Sequence, residues 1–214
     1  STSLPTADFT LRAQVVAELA LQANRPDAAL AEINRIPQPI PREALADVLE
    51  LRARALFALN RPAPAIVTAL DREAALRSQD DIRENRRMIW EGLQKSAAGN
   101  ASFSIPAGST STLAGWLELG QVAVVGGRNP FTAKEGLAEW RSRYPNHPAN
   151  SLLEEEMLPQ LGIGLEYPNQ IALILPLSGR QQLAGVAVRD GFLAAVLQQE
   201  VTHRPVVNIY DSAE

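Results

Sequence analysis

No cysteine occurs among the 214 residues, which removes disulfides, thiolate zinc sites and cysteine nucleophiles from consideration. Aromatic residues are scarce, at 5%, and no stretch approaches the roughly 18 apolar residues that a membrane span needs. Positive charge is not in excess either. The formal net charge is −4, whereas a nucleic-acid partner would require a basic stripe. The densest basic run, Arg83, Arg86 and Arg87, is interleaved with Asp80, Asp81 and Glu84 and reads as a solvated, self-paired helix face. No basic-then-apolar leader is visible at Ser1-Thr2-Ser3, which looks like a mature or trimmed start.

What is abundant is Ala and Leu. With 46% hydrophobic and 21% charged residues the chain is globular in composition. Ala and Leu are strong helix formers that let helices approach closely, which suits stacked helices. A repeat supports this. Asn24-Arg25-Pro26 recurs as Asn60-Arg61-Pro62, an offset of 60 − 24 = 36 residues, near the tetratricopeptide period. In each copy an Ala/Leu-rich helix ends at Asn, and Pro opens the next helix at its first position, where a missing N–H costs nothing. Leu45, Leu49, Ala53 and Leu56 share one helical face, as do Leu11, Val15 and Leu19, and Ile66, Leu70 and Ala74. Pro37, Pro39 and Pro41 separate the first two helix pairs. A fifth helix is predicted over about residues 80–97, with Asp81 and Glu84 in a capping-box-like arrangement. A third pair follows: Leu113, Trp116, Leu117, Gly120 and Val124 on one helix, a turn at Gly126 to Pro130, then Leu137, Trp140 and Tyr144 on the next. Trp90, Trp116 and Trp140 read as core anchors of these helices.

The period changes towards the C-terminus. Residues 146–169 hold five Gly or Pro and the acidic run Glu154-Glu155-Glu156, and read as a linker with one short helix. Ile171 to Leu175 is a continuous apolar run, the pattern of a strand buried on both faces. A helix over 183–199 follows, with Val186, Leu193 and Leu197 on one side, and then a second strand over Val206 to Tyr210. Strand, crossover helix and strand make one parallel βαβ unit, which cannot bury both of its faces alone, so more of an α/β domain is expected. The predicted class is therefore mainly α. It comprises a tetratricopeptide-like helix-pair repeat over 1–145, a linker over 146–169, and over 170–214 the first βαβ unit of a truncated α/β domain.

Residues that could carry chemistry are few. His147 and His203 each lie beside a proline without a second ligand at metal-binding spacing, so they read as surface polar groups and no metal is assigned. Consecutive carboxylates such as Glu154 to Glu156 diverge on a helix and read as solvated. Gly162-Ile163-Gly164 lacks the third glycine of a dinucleotide loop, and Gly126-Gly127 lacks the Lys-Ser/Thr of a P-loop. Asp71 and Glu73, spaced i and i+2, do not face each other as a glycosidase pair would. No catalytic residue and no cofactor follow. One turn has more content: Leu175-Pro176-Leu177-Ser178-Gly179, with Gly185 shortly after, joins the strand to the helix. Open α/β sheets bind ligands at that place, often an anion held by backbone N–H groups. Ser178 and Gly179 are accordingly the candidate ligand-binding residues, the plainer alternative being a turn that Ser178 caps locally.

Assembled, these residues resemble the LpoA family of bacterial outer-membrane lipoproteins. The resemblance is carried by Gly115-Trp116-Leu117-Glu118-Leu119, by Trp140-Arg141-Ser142-Arg143-Tyr144-Pro145-Asn146-His147-Pro148, and by Ile171 to Gly179 continuing through Arg189-Asp190-Gly191-Phe192-Leu193-Ala194-Ala195. It implies a tetratricopeptide-like domain followed by a type I periplasmic-binding-like domain. It also implies a non-catalytic lipoprotein that faces the periplasm and is tethered to the inner leaflet of the outer membrane. The implied activity is to bind a bifunctional, class A penicillin-binding protein and stimulate its transpeptidase, with peptidoglycan as a further contact. The lipid-bearing cysteine of such proteins is absent from these residues. The competing reading is a periplasmic solute-binding protein whose Ser178 loop holds a small amino-acid-like ligand.

Overall fold

A computed structural model describes residues 6–126, 129–158, 170–198 and 204–212. They fall into two units, Ser1–Gly164 and Leu165–Glu214.

The first unit is helical: α1 (Thr6–Gln22), α2 (Pro26–Asn34), α3 (Leu45–Ala58), α4 (Pro62–Ala75), α5 (Gln79–Ala98), α6 (Ser111–Gly126), α7 (Pro130–Arg143) and a short α8 (Asn150–Leu152) that widens into a π-type turn over Leu153–Met157. The repeated tripeptide acts as the backbone predicts. Asn24 and Asn60 take left-handed φ values of 53° and 55°, tolerable for Asn because its short polar side chain bonds locally. The N–H of Arg25 donates to the Ala20 carbonyl at 2.8 Å, and that of Arg61 to Leu56 at 2.9 Å, the six-to-one closure of a Schellman turn. Pro26 and Pro62 then open α2 and α4. Asn100 (φ 56°) ends α5 the same way, with Ala101 N–H on the Ser96 carbonyl at 2.9 Å. The start of α5 differs from expectation: Ser78, not Asp81, is the cap, its Oγ accepting from the Asp81 N–H at 3.0 Å. The turn expected at Gly126 to Pro130 falls partly outside the described residues.

α1 packs on α2, α3 on α4, and α6 on α7, while the alternate helices α1, α3 and α5 also pack in succession, as do α4 and α6. Two buried clusters result. One joins Ala13, Ala17, Ala20, Ala29, Ile33 and Val48, Leu51 and Ala55 across α1 to α3. The other runs from Ala53, Leu56 and Phe57 of α3 through Ile66, Ile89, Leu93 and Leu117 to Met157, and includes all three tryptophans. α3 thus buries both sides. α1 does not: its alanines form the core face, and the larger stripe Leu11, Val15, Leu19 is exposed at 62%, 52% and 57%. The helical phase was legible, but the side that meets α2 and α3 is the one narrow enough for close approach.

Residues 146–158, grouped with the linker on composition, carry Ala149, Leu152, Leu153 and Met157 into the second cluster. Nearby glycines and prolines mask an apolar i, i+3, i+4 spacing there.

In the second unit, β1 (Gln170–Leu175) and β2 (Val206–Asp211) pair in parallel, from Gln170 opposite Val206 to Leu175 opposite Asp211, with α9 (Gln182–Leu197) between them in sequence and packed on β1. The strand expected to be buried on both faces is not. Ile171, Leu173 and Leu175 are half-buried, while Ala172 and Ile174 are exposed, as are Val206 and Tyr210 on β2. One face is covered and the other open. Leu197, placed with Val186 and Leu193 on one side of the helix, is exposed.

Candidate functional site

The βα turn is built by backbone contacts. Ser178 is extended and exposed, its side chain makes no capping bond, and Gly179 has φ +75°, a left-handed value that favours glycine. A 3₁₀ turn over Gly179–Gln181 leads into α9. Gly185 lets α9 lie against the turn, since a Cβ there would stand 2.1 Å from the Pro176 carbonyl oxygen. Asp211 at the end of β2 closes the turn from the other side: its Oδ1 accepts from the Leu177 N–H at 2.8 Å, and Ser212 N–H donates to the Leu175 carbonyl at 2.7 Å. A carboxylate therefore occupies one backbone donor that an anion would need, and its charge opposes an anion beside it.

His147 is in the core rather than on the surface, 6% exposed. It sits among Trp116, Trp140 and Tyr144, with ring centroids 5.2, 5.0 and 6.0 Å away. Its Nδ1 accepts from the Ala149 N–H at 3.1 Å, so Nε2 carries the proton and donates to the Thr112 carbonyl at 2.9 Å. Burial pushes the imidazole below its usual pKa, against the raising effect of the Thr112 carbonyl. Gly115 makes room, because a Cβ there would meet His147 Cδ2 at 2.5 Å, and the Gly115 carbonyl accepts from Trp140 Nε1 at 2.7 Å. Tyr144 donates to Glu118 at 3.0 Å, and burial with that carboxylate holds its hydroxyl above the usual range. The segments Gly115–Leu119 and Trp140–Pro148, noted separately in the sequence, are thus one joint between α6 and the end of α7. The proline beside His147 signalled a loop, and nothing local signalled that Thr112, 35 residues away, receives it. His203, Gly162–Gly164 and the side chains of Glu154 and Glu155 lie outside the described residues.

The basic run on α5 is self-paired only in part. Arg86 bonds Glu73 of α4 at 2.6 Å, and Arg87 bonds Glu156 through two contacts of 2.8 Å besides pairing with Glu84 on its own helix. The Arg87 contact holds the Glu156 carboxyl below the usual carboxylate range. Glu156 therefore belongs to an ion pair and is not merely solvated. Deeper in, Arg72 of α4 ties three elements, reaching the Ala46 carbonyl at 3.2 Å, Asn85 at 3.0 Å and Glu50 at 2.5 Å. Such pairs hold helices in register and offer no nucleophile or proton relay. Between α1 and α3 a groove of about 300 Å³ is lined by Val15, Leu51, Glu18, Asp47, Glu50 and Arg54. Arg54 bonds Glu18 at 2.7 and 3.2 Å, and this lowers the Glu18 pKa. Among the described residues no group of His, Asp and Glu is placed to hold a metal ion, and no helix is long and apolar enough to cross a membrane.

Compared with known families, residues 2–214 match the one described as "LppC putative lipoprotein". The penicillin-binding protein activator LpoA of Photobacterium profundum is 30% identical over 187 residues, 85% of this chain and 30% of that protein. That of Escherichia coli O6:H1 is 29% identical over 148 residues, 69% of this chain and 21% of that protein. The chain thus spans a fifth to a third of the length of these relatives. Among solved structures, Haemophilus influenzae LpoA superposes with a TM-score of 0.60 at 23% identity, over 94% of this chain and 36% of that one. The N-terminal domain of the same protein gives 0.57 at 21% identity, over 74% and 72%. At those identities the likeness establishes the fold.

Proposed function

The chain belongs to the LppC lipoprotein family, and from that premise we propose that the protein carrying it is a non-catalytic regulator of peptidoglycan synthesis, which binds a class A penicillin-binding protein and stimulates its transpeptidase. The observation that carries this reading is the family match over residues 2–214, together with relatives named penicillin-binding protein activators that match 69% and 85% of this chain. The ion pairs between helices, Arg86 with Glu73 and Arg72 with Glu50, support it, because they hold successive helices together as a spacer would need. The protein then works in the periplasm, held to the inner leaflet of the outer membrane by a lipid on a residue outside this sequence, with peptidoglycan as a further contact. The division proposed is a helical spacer that runs on through Met157 and an α/β contact domain beginning at 170. Ser178 and Gly179 shape its first turn, the place a small ligand would occupy if one binds.

The test is a peptidoglycan cross-linking assay with purified class A penicillin-binding protein. The full-length protein is expected to raise cross-linking and the 214-residue chain to leave it unchanged. Full stimulation by the 214-residue chain would move the activating surface onto the helices, and no stimulation by the full-length protein would end the reading.

A further inference from the structure

Both ring nitrogens of His147 are committed to backbone groups. Nδ1 is a bare acceptor for the Ala149 N–H at 3.1 Å, and the Nε2 proton goes to the Thr112 carbonyl beside α6 at 2.9 Å. The ring is buried among Trp116, Trp140 and Tyr144, over Gly115, which has no Cβ to strike it. A second proton has one place to go, Nδ1, and there it meets the Ala149 N–H donor to donor. The docked imidazolium would be a buried charge with one proton unbonded, which is costly.

The residues after His147 depend on being held from outside. α8 has three residues and the Leu153–Met157 turn is π-type, too short for helical stability of their own. They are held by burial of Ala149, Leu152, Leu153 and Met157 in the second cluster and by the bond of Arg87 on α5 to Glu156. His147 adds the tie to α6: Nδ1 fixes the first turn of the segment, and Nε2 fastens that turn to Thr112. The carboxylates about this joint already have guanidinium partners. Glu73 of α4 pairs with Arg86, Glu118 of α6 with Arg143, and Glu156 with Arg83 and Arg87, while Tyr144 donates to Glu118. Burial is the larger influence keeping the ring neutral, ahead of Arg86 and Glu73, which oppose each other.

We propose that His147 is an acid-released latch: uptake of a second proton at Nδ1 breaks the bond to Ala149 and undocks residues 147–157 from α5 and α6 without unfolding the other helices. This does not depend on the activator reading. The test is amide exchange of the 214-residue chain, followed by NMR at about pH 7.5 and 5.5 in urea from zero to about 1 M, each rate divided by the intrinsic rate at that pH. A local opening exposes little surface, so the opening constant of Leu152 and Leu153 should be flat in urea, whereas that of the buried Ala55 and Ile66 should climb with it. One unit below the ordinary histidine value, an opening that frees the imidazole gains about tenfold. Leu152 and Leu153 should show that gain and keep their flat response to urea. His147→Asn, whose Oδ1 can take the place of Nδ1 with no proton to gain, should hold them within about twofold between the two pH values. His147→Gln serves the same purpose if Asn disturbs folding. Leu152 and Leu153 climbing with urea as Ala55 and Ile66 do, no gain at the lower pH, or a gain that persists in the His147 variants would each overturn the proposal. So would a His147 imidazole signal that titrates at the ordinary value while Leu152 stays protected.

Discussion

The two units treat similar apolar sequence in opposite ways. In the first, α3 has neighbours on both sides, and Val48, Leu51, Ala53, Ala55, Leu56 and Phe57 all disappear from solvent. In the second, Ile171 to Leu175 is at least as apolar, yet alternate residues stay exposed and Gly185 is the one buried residue of α9. Burial is a property of layers, not of segments: a helix or strand loses contact with water only on faces that another element covers. The first unit has succession, each helix pair covering the last, and the second has, among its described residues, one strand pair and one α-helix.

The contrast can be broken most forcefully at Trp140. This side chain is fully buried, touches His147 and Tyr144, and donates to Gly115. Trp140→Ala should cost about 4 kcal/mol, lowering the urea midpoint of the helical transition while amide exchange in β1 and β2 stays the same. Equal loss in both units would show that they unfold together.

Arg72 is the next lever. Removing it strands Asn85 and Glu50 between α3, α4 and α5, so Arg72→Ala should cost about 3 kcal/mol. Arg54→Ala, which breaks a half-exposed pair with Glu18, should cost about 0.5 kcal/mol. Comparable losses in urea denaturation would mean that depth of burial does not separate the two pairs.

A graded effect is expected from His147. Its folded pKa lies below the ordinary 6.5, so between the two values the unfolded chain binds more protons and stability rises with pH. The contribution is complete above about 6.5 and is lost as the pH falls through the folded value, because a protonated Nδ1 cannot accept from Ala149. Urea midpoints taken from pH 7.5 to 5 should fall for the native chain and less steeply for His147→Gln. Parallel slopes would show that His147 does not carry the pH dependence.

The smallest effect belongs to the second unit. Ser178 is exposed and makes no capping bond, so Ser178→Ala should change stability by less than about 0.5 kcal/mol and leave penicillin-binding-protein activation by the full-length protein as it was. Loss of a calorimetric signal for a small amino-acid-like solute in that variant would revive the solute-binding reading.

Much of the molecule was legible in residue order alone. Asn-Arg-Pro twice, 36 residues apart, marks where helices stop and start, because a left-handed Asn, a six-to-one hydrogen bond and a proline at N1 are decided within half a dozen residues. The change from helical period to continuous apolar run likewise located β1, and Leu175 to Gly179 marked its turn, since these are local facts about backbone and pattern. Which face of each element would be covered was not local. α1 carries two stripes, Leu11–Val15–Leu19 and Ala13–Ala17–Ala20, and periodicity permits either to be core. Packing on α2 and α3 selected the alanines because helix axes can approach only as closely as the side chains between them allow. The same holds for His147, whose burial required Thr112 and Gly115 to arrive from α6, and for Glu156, whose partner Arg87 lies 69 residues earlier. Helix limits are written in neighbouring residues, but a buried partner exists only once the chain has folded back on itself.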